Sequence, residues 1–273
     1  MDFNGFPLVL AVCAVIFIGV SKAGFGGGLG MLTTPLCVVA FKASGKPPSY
    51  AVGILLPLLC AGDLFSLYHY WKKWDLKNLK YLMPGVILGI VLGVQLIDHL
   101  KPRQLNITIG TLAVCFVLFQ LSKEFIFRAE GAFAPNYRVG LPCGVGAGIT
   151  STIAHGAGPL VSLFLIPQRL PKEVYMGTNI LIFTIINWLK FPFFTIDQSM
   201  ISLPFLVKHA IITRESLVTG LIFLPLVPLG VWIGVSINRK FSEKTFQRIV
   251  YATTFAAGLH LIFDFNFARL FSH

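Results

Sequence analysis

Charged residues are scarce in this chain, and acidic ones are the scarcest. Asp, Glu, Lys and Arg make up only 12% of its 273 residues, whereas soluble domains carry roughly 25%. Hydrophobic residues account for 55% of the chain. This composition excludes an ordinary soluble globule and predicts an integral membrane protein.

Other absences exclude further kinds of protein and of functional site. The ~10-residue alternation of polar and apolar side chains that marks a transmembrane β-barrel does not occur. The N-terminal MDFNG lacks the basic start of a cleaved signal peptide, so we expect the first apolar run to stay in the mature protein. The five cysteines stand singly in apolar runs, which predicts neither a disulfide nor a metal site. No phosphate-binding GxxxxGK motif occurs, and no cofactor is expected.

Long uncharged runs are what the chain has in abundance, and most approach the ~20 residues that a helix needs to cross ~30 Å of hydrocarbon. Basic residues lie between these runs and give the net charge of +11, which is typical of membrane topology rather than of nucleic-acid binding. The uncharged runs cover residues 3–21, 23–41, 81–97, 104–122, 139–168 and 216–238.

The sequence repeats itself. A shift of 124 places Pro35 on Pro159 and Gly53 on Gly177, and beyond residue 75 a shift of 141 places Pro84 on Pro225. The change of shift indicates an insertion near 196–213 in the second copy. Self-similarity of this kind has to be recognised before a fold can be assigned.

Each copy reads as five apolar pieces, of which the first two are short. They form either a re-entrant hairpin or two broken spans, and both readings give an odd number of crossings, so the second copy is expected to lie inverted. The sequence therefore predicts an all-α integral membrane protein with two inverted-topology repeats, each a short broken-helix hairpin plus three transmembrane helices, and 8–10 membrane segments in total. The predicted units are 1–122, a connecting loop 123–138 and 139–273. The predicted pieces are 6–21, 29–41, 50–70, 81–98 and 104–122, then 139–149, 153–166, 174–194, 216–237 and 246–264.

The distribution of Lys and Arg among the loops sets the orientation. The side that includes both termini carries fewer of them than the opposite side, which includes the loop 72–80. Since cytoplasmic loops are enriched in basic residues, both termini are predicted outside the cytoplasm.

Glycine-rich breaks interrupt both copies, in GFGGGLGMLTTP from Gly24 to Pro35 and in TSTIAHGAGP from Thr150 to Pro159. Irregular backbone at membrane depth is tolerated where it is buried in protein or lines a wet cavity. Each break is expected to place a helix N-terminus inside the membrane, and two such ends would attract an anion. The alternative is close helix packing, which small residues at every fourth position also favour. Gly85, Gly89 and Gly93 are assigned to packing alone.

Polar side chains are concentrated in the second copy. Asn179 and Lys190 are eleven residues apart, which is only ~20° around a helix, and Asn187 is ~80° from Asn179. Lys190 either lines a site or snorkels, because it lies near the end of its piece. Asp63 occupies the place of Asn187 in the first copy, and a carboxylate at that depth predicts either a proton or cation coupler or a salt bridge with Lys190.

His155 and Lys22 are the other titratable residues beside the breaks. His155 would donate to an anion or carry a proton, or else be a hydrogen-bonded packing residue, and Lys22 would attract an anion to the first glycine loop. Ser151 and His155 are four residues apart, as in a nucleophile–base pair. No acidic orienting residue or oxyanion motif accompanies them, so an enzyme is not predicted.

These segments resemble a known family. GGGLGMLTTP, KPPSYAVG, TIAHGAGP, QRLPKEVYMGTN and INWLKFPFF are similar to the paired signatures of the TauE/SafE sulfite exporter family, also called the toluenesulfonate uptake permease family. The stretch GDLFSLYHYWKKWD resembles a subgroup with an acidic residue in the first repeat. Ile54 and Leu55 replace the usual Thr-Ser, and TIAHGAGP replaces the usual second glycine cluster. The resemblance implies transport of sulfite, thiosulfate or short organosulfonates across a bacterial inner membrane, commonly outward.

The residues and the resemblance together predict a secondary transporter for a small sulfur-containing anion, with the lipid bilayer and protons as further partners and no nucleic acid. A passive anion channel, or an importer of other small oxyanions or carboxylates, is the alternative. Backbone N–H groups around Gly26–Gly30 and Ser151–Gly156 are the predicted donors. The predicted substrate-binding residues are Gly27, Gly28, Thr33, Thr34, Ser151, Thr152, His155, Gly156, Asn179, Asn187 and Lys190, and the predicted coupling residues are Asp63 and Lys22.

Overall fold

The computed structural model describes residues 6–22, 33–42, 44–128, 134–204, 206–240 and 243–264. These residues form an all-α protein in which the sole β-type pairing described is an isolated bridge between Asp197 and Val207. The helices are α1 Phe6–Lys22, α2 Thr33–Lys42, α3 Pro48–His69, α4 Leu76–His99, α5 Pro102–Arg128, α6 Tyr137–Ala154, α7 Gly158–Leu165, α8 Lys172–Thr195, α9 Arg214–Phe223, α10 Leu226–Lys240 and α11 Glu243–Phe263, with a 3-10 turn Ile166–Gln168 after α7.

Local sequence explains where the helices begin. The carboxylate of Asp75 accepts a hydrogen bond from the N–H of Lys77 and so caps α4. The side chain of Asn136 caps α6 in the same way, and Thr213 and Ser216 form a reciprocal capping box at the start of α9. Each cap provides a partner for an N–H group that the helix itself leaves unpaired.

Five helical segments among the described residues, one of which combines α9 with the start of α10, are long and apolar enough to cross a membrane, which confirms the predicted class. The central one is α3, because 72% of its apolar window is buried inside the protein. Asp63, on α3, is therefore inside the helical assembly rather than in lipid. The five spans are Pro48–His69, Leu76–His99, Pro102–Ser122, Lys172–Thr195 and Arg214–Ile233, and the shorter apolar helices are Leu8–Val20, Thr33–Lys42, Gly158–Gln168 and Arg248–Phe263.

Glycine lets helices of the two predicted copies approach closely. A Cβ on Gly89 of α4 would lie 2.1 Å from the carbonyl oxygen of Val145 on α6, and one on Gly148 would lie 2.4 Å from that of Val86. The same relationship joins α1 and α10, where a Cβ on Gly19 would lie 2.1 Å from the Val227 oxygen. The packing role predicted for the α4 glycines is confirmed, and each of these pairs joins the first copy to the second. Inversion of the second copy stays a prediction.

Three boundaries differ from those predicted. Helix α6 runs to Ala154 rather than ending near residue 149, so the second break is shorter and lies later in the chain. Helix α5 continues to Arg128, into the segment predicted as a connecting loop. The predicted piece 216–237 is two helices, because the chain turns at Leu224–Pro225 between α9 and α10, where proline removes a backbone donor.

Candidate functional site

The centre of the described structure is the place where α3 and α8 meet. Asp63 of α3 is 0% exposed, and its Oδ2 accepts a hydrogen bond of 2.6 Å from Nδ2 of Asn187 on α8. A carboxylate out of contact with water is stabilised by such a donor, because hydrogen bonds to charged acceptors are stronger than those between neutral groups. The two residues that the repeat placed in equivalent positions are therefore in direct contact.

Lys190 lies one turn further along α8 and is 0% exposed. Its Nζ donates to the backbone oxygen of Ser151 at 3.0 Å, to Oγ of Ser151 at 2.9 Å and to Nδ1 of His155 at 3.0 Å. An ammonium group has three donors, and all three are engaged. Lys190 therefore does not snorkel to the membrane surface, and it is held where α6 ends.

The His155 ring has a defined hydrogen-bonding role. Because the ammonium of Lys190 can only donate, Nδ1 accepts, and the proton of the neutral imidazole is then on Nε2. Nε2 lies 3.0 Å from the backbone oxygen of Val52 on α3 and donates to it. Both ring nitrogens are engaged with partners other than the Ser151 hydroxyl, so the nucleophile–base pair considered from the sequence is not formed.

The backbone at His155 explains how α6 stops. His155 is in the left-handed region with φ of 51°, its N–H bonds to the oxygen of Ser151, and the N–H of Gly156 bonds to that of Thr150. The bond from His155 to Ser151 is that of a helix C-terminus capped by a left-handed residue. Left-handed backbone is uncommon for a residue other than glycine, although histidine is among the residues that tolerate it better.

The backbone N–H groups predicted as anion donors at Ser151–Gly156 lie at the end of α6. Those of His155 and Gly156 are used within the end of α6, and Ser151 is still helical. What faces Lys190 is the C-terminal end of a helix, which carries partial negative charge. The next helix start is that of α7, whose N-cap residue Ala157 makes no side-chain capping bond.

The start of α2 reaches the same place from the first copy. Thr33 and Thr34 are both 0% exposed, and Oγ1 of Thr34 donates to the backbone oxygen of Ala154 at 2.8 Å. A residue of the first break is thus bonded to the last residue of α6 in the second copy. Gly27 and Gly28 lie outside the described residues, as does the side chain of Lys22.

Two other predicted contact residues lie elsewhere. Thr152 donates to the backbone oxygen of Gly148, and its Cβ packs where a side chain on Gly93 would be, so it faces α4. Asn179 is eleven residues from Lys190, which is about 16 Å along α8. Its Oδ1 is buried with no hydrogen-bond partner. The structure gathers Thr34, Ser151, His155, Asn187, Lys190 and Asp63 at the centre, and it does not place Thr152 or Asn179 with them.

Sequence reasoning missed one participant of the site and one unusual buried residue away from it. One is the Val52 carbonyl, which cannot be found from residue types because every residue has a carbonyl. The other is Asn78, which is fully buried near the start of α4 with neither amide atom bonded. The burial of Asn78 could not be predicted, because Asn78 stands between Lys77 and Lys80 in a segment whose charge is typical of an exposed loop.

Comparison with known proteins identifies a family. The sequence profile of the family described as sulfite exporter TauE/SafE matches residues 11–261, which is most of the chain. No curated protein and no solved structure gives a significant match. Membership implies a membrane transporter of sulfur-containing anions, and the buried cation between α6 and α8 is consistent with an anionic substrate. The chain belongs to the TauE/SafE sulfite exporter family.

Proposed function

We propose that this protein is a secondary transporter that binds a small sulfur-containing oxyanion at Lys190 and moves it outward by alternating access. Sulfite and short organosulfonates such as sulfoacetate are the proposed substrates. The observation that carries the proposal is the fully buried Nζ of Lys190, whose hydrogen-bond partners among the described residues are neutral groups of Ser151 and His155. Buried charges in membrane proteins are costly and typically mark ion or substrate pathways.

An oxyanion would compete well for this ammonium. A hydrogen bond between two ionised groups is roughly twice as strong as one between neutral groups. The substrate would replace the Ser151 hydroxyl and the His155 ring, while the backbone oxygen of Ser151 keeps Lys190 in place. The hydroxyls of Thr33 and Thr34 and the N-terminus of α7 would supply further donors around the anion.

Release of His155 connects binding to movement. The ring of His155 joins α6 to Lys190 on α8 and to the Val52 oxygen on α3. When an anion takes its place at Lys190, the link between α3, α6 and α8 is weakened. The hydrogen bond between Thr34 and Ala154 joins α2 to α6 in the same region. A movement of α6 would therefore shift one predicted copy relative to the other. Rocking of inverted repeats about a central site is how many secondary transporters alternate access.

Asp63 is the proposed coupling group. Its carboxylate is held by Nδ2 of Asn187, and protonation would remove the charge that makes this bond strong. A proton on Asp63 would thus loosen α3 from α8 beside the anion site. Substituting Asp63 by Asn should leave substrate binding intact and remove the dependence of flux on a pH gradient. Unchanged proton dependence in that variant would contradict the coupling role.

The placement in the cell completes the proposal. The family and the apolar helices indicate a multi-pass membrane protein, and we assign it to the bacterial inner membrane with both termini outside the cytoplasm. Reporter fusions at the C-terminus check the orientation. A periplasmically active reporter is expected to work there and a cytoplasmically active one to fail, and the reverse result would invert the assignment.

Ligand-dependent thermal stability tests the substrate class. The purified protein is heated with sulfite, thiosulfate, sulfate, sulfoacetate, taurine and carboxylates in turn. A ligand that binds only the folded state raises stability by RT ln(1 + [L]/Kd). Preference for sulfite or an organosulfonate supports the proposal, whereas preference for carboxylates overturns the substrate class.

Flux into liposomes separates a transporter from a passive channel. Uptake of sulfite against its own gradient, driven by an imposed pH gradient, requires coupling. A channel lets the anion move only down its electrochemical gradient, so the absence of concentrative uptake under every imposed gradient would favour the channel.

A further inference from the structure

Three buried amide atoms of Asn78 on α4 and Asn179 on α8 have no hydrogen-bond partner. Asn78 is 0% exposed, and neither its Oδ1 nor its Nδ2 has a hydrogen-bond partner. Asn179 is 3% exposed, and its Oδ1 has no partner. Buried polar side-chain atoms in proteins are almost always hydrogen bonded, and those that are not call for a functional explanation or an additional bound group.

The two asparagines flank the same contact between the α3–α4 turn and α8. The N–H of Asp75 donates to Oγ1 of Thr178 at 2.9 Å, and the N–H of Asn78 donates to the Asp75 oxygen at 3.3 Å. Asn179 directly follows Thr178. The backbones are tightly packed there, since a Cβ on Gly177 would lie 1.8 Å from the oxygen of Lys73. Asn78 and Asn179 are therefore each within one helical turn of a direct link between α4 and α8.

The corresponding positions of the other copy are different. At the repeat offset of 141, Thr219 of α9 stands in the place of Asn78 of α4, and its hydroxyl donates to the Glu215 oxygen at 2.9 Å and lies 3.0 Å from that of Tyr50. At the offset of 124, Ile54 and Leu55 stand where α8 has Thr178 and Asn179, and both are 0% exposed. Of these equivalent positions, those at the α4–α8 end carry buried amide atoms without partners, and those of the other copy do not.

The same end carries concentrated positive charge. Lys72, Lys73, Lys77 and Lys80 are all exposed and lie within nine residues around the start of α4. Glu173 pairs with Lys73 at 3.2 Å. The remaining lysines leave this end positive, and a cluster of one sign of charge raises the local concentration of the opposite ion.

We propose that Asn78 and Asn179 form an outer anion-binding position between α4 and α8, through which a small hydrated oxyanion passes between the lysine-rich face and Lys190. The inference rests on the proposed transport function and adds a second position on the route. Nδ2 of Asn78 donates to the anion, and a water or acidic O–H that travels with it donates to Oδ1 of Asn78 and Oδ1 of Asn179. Asn179 lies on the face of α8 that also carries Lys190, since the two are ~20° apart around the helix.

The test compares substitutions of two buried asparagines that lie on different helices. Asn78→Leu removes the amide at nearly constant size, and Asn106→Leu does the same on α5, where Oδ1 of Asn106 is likewise buried without a partner. Both variants are purified, their melting temperatures are compared, and sulfite flux into liposomes is measured at low sulfite concentration. We expect equal or higher melting temperatures for both, because each loses an unsatisfied buried group. Flux is expected to fall at least fivefold in Asn78→Leu and to stay unchanged in Asn106→Leu.

Wild-type flux in Asn78→Leu would overturn the inference, because the amide would then be a packing defect only. If that variant does not fold, Asn78→Ser replaces it, since a smaller hydroxyl keeps one donor and one acceptor, and the expected flux is intermediate. Loss of folding in both variants would assign Asn78 to stability and contradict the inference. If sulfite binding depends on Lys190 but sulfite flux in Asn78→Leu is normal, the outer position alone is refuted. If no sulfur anion binds, the proposed function itself is refuted.

Discussion

Asn187 donates a 2.6 Å hydrogen bond to Asp63, and the two residues are 124 positions apart in the chain. That separation is also the shift that aligns the two copies of the repeat. Equivalent residues of two inverted copies meet only at the axis that relates them. In the predicted inverted arrangement, the pseudo-two-fold axis would pass through this bond, at the crossing of α3 and α8.

The first prediction concerns this pair. Asn187→Leu leaves the buried carboxylate without its amide donor, and it should lower the free energy of unfolding by about 2–3 kcal/mol. Asn187→Asp should lower the free energy of unfolding further, because two carboxylates would then face each other. Thermal unfolding of the purified variants measures both effects.

An exchange of the two residues provides the control. The double variant Asp63→Asn with Asn187→Asp keeps one amide and one carboxylate at the crossing, and it should recover most of the stability lost in Asn187→Asp. A double variant no more stable than Asn187→Asp would show that the contact contributes little.

Close packing of α4 on α6 gives the second prediction. Gly89→Ala places a methyl group 2.1 Å from the carbonyl oxygen of Val145, and overpacking of this kind costs about 1–3 kcal/mol. The matched variant is Gly220→Ala on α9, where the new Cβ would lie 3.4 Å from the Ile54 oxygen. There the gain in helix propensity of up to about 1 kcal/mol should dominate. Equal melting temperatures for the two variants would contradict the close approach of α4 and α6.

Asp197 makes the segment between α8 and α9 sensitive to pH. Its carboxylate accepts from the N–H groups of Ser199, Met200 and Ala210 and from the Ser199 hydroxyl. The Ser199 hydrogen bond is the largest cause that lowers the pKa of Asp197 below its usual range. A lowered pKa in the folded state means that the stabilisation is present above the unfolded value of about 3.9 and is lost as pH falls through the folded value.

Hydrogen exchange of the amides of Ser199, Met200 and Ala210 measures this effect. Their protection, corrected for the intrinsic exchange rate, should be constant near neutral pH and fall below about pH 4. Asp197→Asn should reduce the protection at neutral pH and flatten the pH dependence. Protection that is independent of both pH and the substitution would exclude this role for Asp197.

Most helices could be predicted because apolar length and flanking charges mark their ends. The piece predicted at 50–70 is Pro48–His69, and that at 174–194 is Lys172–Thr195. The polar residues inside such pieces also stood out, since Asp63, Asn187 and Lys190 interrupt long apolar sequence. Each of them is buried at the crossing of α3 and α8 or beside it.

The end of α6 could not be predicted. Small residues recur every four positions from Gly140 to Gly156, and this pattern is the same for a packed helix and for a series of breaks. Helix α6 continues to Ala154 because its glycines pack on α4, which is a contact between distant parts of the chain. The position of the Lys190 side chain could not be predicted either, since it also depends on contacts between distant parts of the chain. Its partners Ser151 and His155 belong to another helix.

Binding of sulfite to the wild type and to Lys190→Gln is the most direct test of the central claim, that the buried ammonium of Lys190 holds the anion. Glutamine keeps hydrogen-bonding capacity to Ser151 and His155 and removes the positive charge. Calorimetric titration of the purified proteins is predicted to give clear sulfite binding for the wild type and at least a hundredfold weaker binding for Lys190→Gln, with both proteins folded by thermal unfolding. Equal affinities in the two folded proteins would contradict the account.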